Sequence, residues 1–173
     1  MFLVPFTLAG TLAGVSLPDS ATVGGAPVIL NGMGLREKYY IDIYLGALYL
    51  THPTHDGISA INADEPKRIV MHFIYPRVTK AQIVETFEEQ FGANPAAVAV
   101  RPNIDMMEGW LPEVVHAGDE LAFDYEPGKG TTMRVLGKVA GTIPGAGFMK
   151  LVWSVYLGAK PPTAALKNGM LGK

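Results

Sequence analysis

The 173-residue sequence contains no cysteine, which excludes a disulfide framework, a thiolate metal site and a thiol nucleophile. Charge is scarce as well. Only 17% of residues are charged and the net charge is −2. With lysines and arginines scattered and no basic stripe, nothing provides an electrostatic footprint for nucleic acid. Serine is confined to Ser16, Ser20, Ser59 and Ser154, none of them in a Gly-x-Ser-x-Gly elbow. Carboxylates fall in turns and on one outer helix face, so no glycosidase-type pair can be nominated. No apolar run reaches the roughly 20 residues of a membrane-spanning helix, so no integral span is expected. The uncharged head, Met1 to Val15, is too short for one and lacks the basic start of a signal peptide. Residues 1–10 are therefore read as a signal remnant or cloning addition and 11–173 as a single domain, entered by a strand from about Thr11 to Leu17.

Two further constellations carry less chemistry than they suggest. The run Gly128-Lys-Gly-Thr-Thr132 lacks the spacing of a phosphate-binding loop and is followed by a strand pattern, so it is a hairpin turn. His52 and His55 stand beside Asp56 in a loop broken by Pro53, with no helix to hold them as metal ligands. They read as surface residues. His72 alternates along a strand and reads as a core or cleft-edge histidine making one hydrogen bond. Nothing calls for a metal or a cofactor.

What the chain has in quantity is apolar residues, 49% of the total, enough for one domain to bury about 70% of its unfolded surface. Gly24-Gly25-Ala26-Pro27 is a turn signal, with Val28 to Leu30 as the returning limb of a hairpin. Thr51 to Pro66 is polar loop with one helical turn near Gly57 to Asn62. Lys67 to Tyr75 is a buried strand. Thr79 and Gln82 have capping-box spacing, and Ile83, Val84, Phe87 and Phe91 then share one helical face opposite Glu85, Glu88 and Glu89. A second helical region runs from Pro95 to about Trp110 and is split near Pro102. Glu120 to Ile143 is a three-stranded meander. Phe148 to Leu157 is an apolar helix ended by Gly158. Strands before and after a helical middle predict an α+β fold with helices layered on an antiparallel sheet.

The most informative stretch is Leu30 to Leu50, which sets Arg36 among Tyr39, Tyr40, Tyr44 and Tyr49. A guanidinium is always charged and offers a planar fork of donors suited to a carboxylate or enolate. Beside phenols and aliphatic walls it makes a polar anchor at one end of an apolar pocket. Gly32 and Gly34 ahead of it let backbone or ligand approach closely. Arg36 and Tyr44 share strand parity, yet eight residues of extended chain span roughly 26 Å. One small ligand can touch both only if the chain folds back, so a tight bend or bulge is expected between Tyr39 and Asp42.

The pattern Leu-Asn-Gly-x-Gly-Leu-Arg36-x-Lys-(x)5-Tyr44-x-x-Ala-Leu-Tyr-Leu resembles the chalcone isomerase superfamily, and within it the bacterial chalcone-isomerase-like proteins. The likeness extends to Gly24-Gly25, Tyr125-x-Pro-Gly-Lys-Gly-Thr-Thr132, Gly141-Thr-Ile-Pro-Gly145, Leu157-Gly-x-Lys-Pro-Pro162, Leu166-Lys167 and Gly169-x-Leu-Gly172. The resemblance implies an open-faced β-sandwich, a large antiparallel sheet with helices on one face and a ligand cleft between. It also implies an exported, periplasmic or secreted location. Plant enzymes of the superfamily cyclise chalcones with an arginine and a threonine from an early strand and a tyrosine, a lysine and an asparagine from a helix. Here the arginine is Arg36, the threonine position is Tyr44, and the helix positions fall on Ile83, Thr86 and Gln90. The arginine–tyrosine pair instead resembles that of the plant fatty-acid-binding relatives. The resemblance thus implies binding of a fatty acid or similar small amphipathic carboxylate, with Arg36 and Tyr44 on the head group. Ile83, Phe87, Phe148, Val152, Val155 and Tyr156 would line the tail site. The alternatives are a chalcone-isomerase-type intramolecular lyase acting on a flavonoid-like enone, with Arg36 catalytic, and a partner-binding module using the rim of the cleft. The oligomeric state is left open.

Overall fold

The computed structural model describes residues 8–173. Its centre is a seven-stranded, wholly antiparallel sheet. The strands are β3 (Ser20–Val23), β4 (Ala26–Lys38), β5 (Ile41–Leu50), β6 (Lys67–Phe73), β9 (Glu120–Glu126), β10 (Gly130–Val135) and β11 (Lys138–Ile143). Their spatial order is β11-β10-β9-β6-β5-β4-β3. Two small ribbons stand apart: β1 (Leu8–Leu12) with β2 (Val15–Pro18), and β7 (Arg77–Thr79) with β8 (Val114–His116). The helices are α1 (Gly57–Asn62), α2 (Lys80–Gly92), α3 (Arg101–Gly109), α4 (Ala146–Leu157) and α5 (Ala164–Met170). A 3-10 segment, Pro95–Val100, leads into α3.

Strand β5 explains the layering. Its residues 44–50 are all buried, although successive side chains must point to opposite faces. Tyr44, Leu48 and Leu50 join the core beneath the helices, while Leu45, Ala47 and Tyr49 join a smaller apolar cluster on the other face with Leu17 and, at its edge, Leu12 and Val15. The β1–β2 ribbon supplies those last three residues. It replaces the single strand expected from Thr11 to Leu17, because Ala13 and Gly14 turn the chain at φ 50° and 76°. Its first strand begins inside the head assigned to residues 1–10. The rest of that head, residues 1–7, lies outside the described residues.

Local chemistry sets the other boundaries. Thr79 caps α2 with a complete capping box, Gln82 N–H to the Thr79 hydroxyl and Thr79 N–H to the Gln82 side chain. The second helical region breaks before Pro102, and Ile104, Met107 and Leu111 point inward. Two features had no clear sequence signal. Helix α5 follows the segment expected to be the last helix. Lys67 is 1% exposed, and its ammonium donates to the carbonyls of Ala60, Ile61 and Ala63 at 2.7, 3.1 and 2.9 Å, closing the end of α1. It also lies 5.2 Å over the Trp153 ring. Burial pulls its pKa down to about 8.

Helix α5 lies on the sheet through glycines. A Cβ on Gly34 would meet Leu166 O at 2.3 Å and Leu166 Cα at 2.8 Å, and one on Gly32 would meet Gly169 O at 2.2 Å. Gly34 is paired with Gly46 of β5, whose own Cβ would meet Leu166 Cδ1 at 2.8 Å. The close approach that Gly32 and Gly34 permit is therefore that of a helix backbone.

Candidate functional site

Two residues beyond Gly34 on the same face of β4 stands Arg36. The chain folds back between Tyr39 and Asp42 as the reach argument requires: Tyr39 and Tyr40 turn at φ 52° and 63°, and β5 returns antiparallel. A bulge falls between Arg36 and Glu37. The result places Arg36 directly opposite Tyr44 across the ladder, where side chains lie about 5 Å apart.

Positive φ at both central residues suits the twist of a two-residue hairpin but normally selects Asn-Gly. Tyr40 is 99% exposed, so packing does not compensate the conformation. Exchanging Tyr40→Gly should raise stability by about 1 kcal/mol, a gain of roughly 2–4 °C in a melting experiment. A lowered midpoint would show that the tyrosine is held by something other than its backbone.

Arg36 is half-buried and spends one N–H on the Glu37 carbonyl at 2.6 Å. Among the described residues it is paired with no carboxylate. Tyr44 is 6% exposed, its ring 5.6 Å from that of Phe73. Burial pushes the Tyr44 hydroxyl well above the ordinary phenol range, an effect the nearby Arg36 charge partly offsets. It is thus a neutral hydrogen-bond donor at any physiological pH. Tyr156 is likewise held neutral by burial, then by Tyr44, and its hydroxyl donates to the Met71 sulfur at 3.1 Å.

These groups border a cleft of about 330 Å³. The sheet contributes Arg36, Tyr44, Met71 and Phe73. Helix α2 contributes Gln82, Ile83, Thr86 and Phe87, and α4 contributes Val155 and Tyr156. Six of the eight residues assigned from sequence to a ligand therefore come together: Arg36, Tyr44, Ile83, Phe87, Val155 and Tyr156, whereas Phe148 and Val152 do not join them. Val152 does not line the cleft. It is 1% exposed within the core, as is Phe148 at 2%. The reason is that α4 is buried almost all round, with eight of its twelve residues inaccessible, so its apolar spacing cannot separate a cleft face from a core face. Thr86 borders the cleft, whereas Gln90 lies on a different cavity farther along α2.

Sequence reasoning missed the mouth. Lys38, Tyr39, Ile41 and Tyr75 border it, and Pro162, just before α5, closes one side. Alternation around His72 could have exposed part of this wall, since Met71 and Phe73 face the helices. His72 then points to the other face, where its Nδ1 lies 2.8 Å from Glu120 Oε2. His52 pairs with Glu65, His55 Nδ1 donates to the Leu171 carbonyl, and Asp56 caps α1 by accepting from Ser59. Those Ser59 hydrogen bonds hold the Asp56 carboxyl below its usual range. Among the described residues no three metal-ligating side chains converge.

Comparison with known proteins agrees with this fold. A search of curated proteins returns no match. Among solved structures, the crystal structure of a fatty-acid binding protein from Arabidopsis thaliana superposes with a TM-score of 0.69 at 15% identity, covering 91% of this chain and 92% of that one. At that identity the likeness establishes the fold. The family model described as chalcone isomerase-like matches residues 9–172, and with this curled antiparallel sheet, its helices on one face and the cleft between them, the chain belongs to the chalcone isomerase-like family.

Proposed function

We propose that this protein binds a fatty acid, or a similar small amphipathic carboxylate, without transforming it. The observation that carries the reading is the pairing of Arg36 and Tyr44 on the wall of a mostly apolar cleft. A carboxylate there would accept from the guanidinium and the neutral phenol, and the tail would run between Ile83 and Phe87 of α2 and Val155 and Tyr156 of α4. The fatty-acid binding protein among the structural neighbours supports it. Each buried methylene would add about 0.8 kcal/mol.

Catalysis of the chalcone-isomerase kind is the less supported reading. Of the helix positions that carry catalytic donors in the plant enzymes, Ile83 is apolar, Gln90 stands away from the cleft, and only Thr86 offers a hydroxyl at its wall. A developing enolate would rely on Arg36 and Tyr44, and each missing oxyanion donor typically costs about a hundredfold in rate.

Native mass spectrometry of freshly purified protein, before and after organic extraction, tests the proposal. The expected result is an added mass of an aliphatic acid that extraction removes and readdition restores. Incubation with naringenin chalcone is the counter-test. Flavanone formed above the spontaneous rate, and lost in Arg36→Ala, would replace binding with catalysis.

A further inference from the structure

We propose that Val155 is the gate that sets the length of acyl chain the cleft accepts, an inference that rests on the binding reading above. A second pocket, a groove of about 260 Å³ open to solvent and rimmed by Asn94, Pro95 and Lys160, runs along α2 and α4 beyond the cleft. The cleft takes its α2 wall from Gln82 to Phe87, and the second cavity takes its wall from Gln90 and Phe91. On α4, Tyr156 faces the cleft while Leu151 and Ser154 face the second cavity. Val155 borders both. Across from it the Phe87 and Phe91 rings stack at 5.8 Å and 12°, one ring on each cavity. The partition is therefore this aromatic pair on α2 and a single valine on α4.

The two sides of the partition differ in how they can yield. The stacked rings are 3% and 2% exposed and fill their space. Val155 is β-branched on a helix, so its χ1 is held to one rotamer and it cannot swing aside. If a methylene needs about as much room as a water molecule, roughly 30 Å³, the cleft holds about ten carbons. A longer tail must stop at Val155 or leave through the mouth. Removing the two valine methyls would open the cleft into the groove and give a longer tail a course past α4 along Phe91 and Leu151.

The test is a chain-length series, from octanoic to hexadecanoic acid, binding to the wild type, Val155→Ala and Val155→Ile, each checked for a single cooperative unfolding transition well above the temperature of the binding measurement. The wild type should tighten up to decanoic or dodecanoic acid and then level off or weaken. Val155→Ala should bind octanoic acid no better than the wild type, having lost two methyl contacts from the cleft wall, yet continue to tighten with length where the wild type levels off, by up to about fourfold for each further buried methylene. Tetradecanoic acid would then bind it at least tenfold better than it binds the wild type. Val155→Ile, which thickens the partition, should move the optimum to shorter acids. Superimposable length profiles for the three proteins overturn the gate while leaving the binding reading intact. A wild type that binds none of the acids overturns the binding reading, and the gate falls with it.

Discussion

Replacing Arg36 with methionine should weaken binding of a medium-chain fatty acid by about thirtyfold, corresponding to about 2 kcal/mol for a charge-assisted head-group contact. Methionine keeps the aliphatic length of the side chain, so the cleft wall survives and the loss reports the guanidinium. The affected atoms are half-exposed, and Arg36 contributes one hydrogen bond to its own strand. The melting midpoint should therefore hardly move. The fatty acid's methyl ester supplies the complementary measurement. It lacks the charge that Arg36 would meet, so it should bind wild type and variant alike, about as weakly as the acid binds the variant. Arg36→Lys should recover only part of the affinity, because an ammonium keeps the charge but loses the planar fork. Equal affinity of wild type and Arg36→Met for the acid would mean that the carboxylate lies elsewhere, at Lys38 or out in solvent.

How much of this site could be read from the chain depends on what kind of constraint each residue carries. Arg36 and Tyr44 were legible because a small ligand cannot reach across an extended strand, which forces a hairpin whatever the turn chemistry. The place of the turn followed from that reach, but its local chemistry gave no signal, since Tyr39-Tyr40 violates the rule that left-handed positions favour glycine and asparagine. The α2 face was legible from its cap and its one-sided apolar stripe. The α4 face was not, because a helix buried on nearly every side has no stripe to read. Val152 and Val155 have the same chemistry and differ only in which neighbour their turn meets. The β7–β8 ribbon pairs three-residue strands more than thirty positions apart, and nothing local to either strand announces the other. Lys67 is the opposite of its type: a lysine at a strand start is ordinarily solvated, and only the carbonyls at the end of α1 make its burial tolerable.

The larger structural effect is expected at Gly34. An alanine methyl there would sit 2.3 Å from the Leu166 carbonyl oxygen and 2.8 Å from its Cα. Both belong to a backbone that cannot rotate away as a side-chain tip can. Either α5 lifts from the sheet or β4 bends, and forcing one extra carbon into a close-packed seam costs about 3 kcal/mol, a fall of about 10 °C in the thermal midpoint. Gly169→Ala, meeting Met33 O at 2.3 Å and Gly34 Cα at 2.5 Å from the other side of the seam, should cost a similar amount. Gly92→Ala is the control: its added methyl meets nothing within 4 Å, so stability should hold or rise. The consequence reaches the cleft because Arg36 follows Gly34 on the same strand face and Pro162, which closes one wall, leads directly into α5. A Gly34→Ala protein that still folds should therefore bind fatty acid more weakly although no lining residue has changed. The glycine pattern ahead of Arg36 then acts on binding through the helix it seats. If the variant melts with the wild type, α5 does not rest on that strand at the distance described, and the wall at Pro162 has another support.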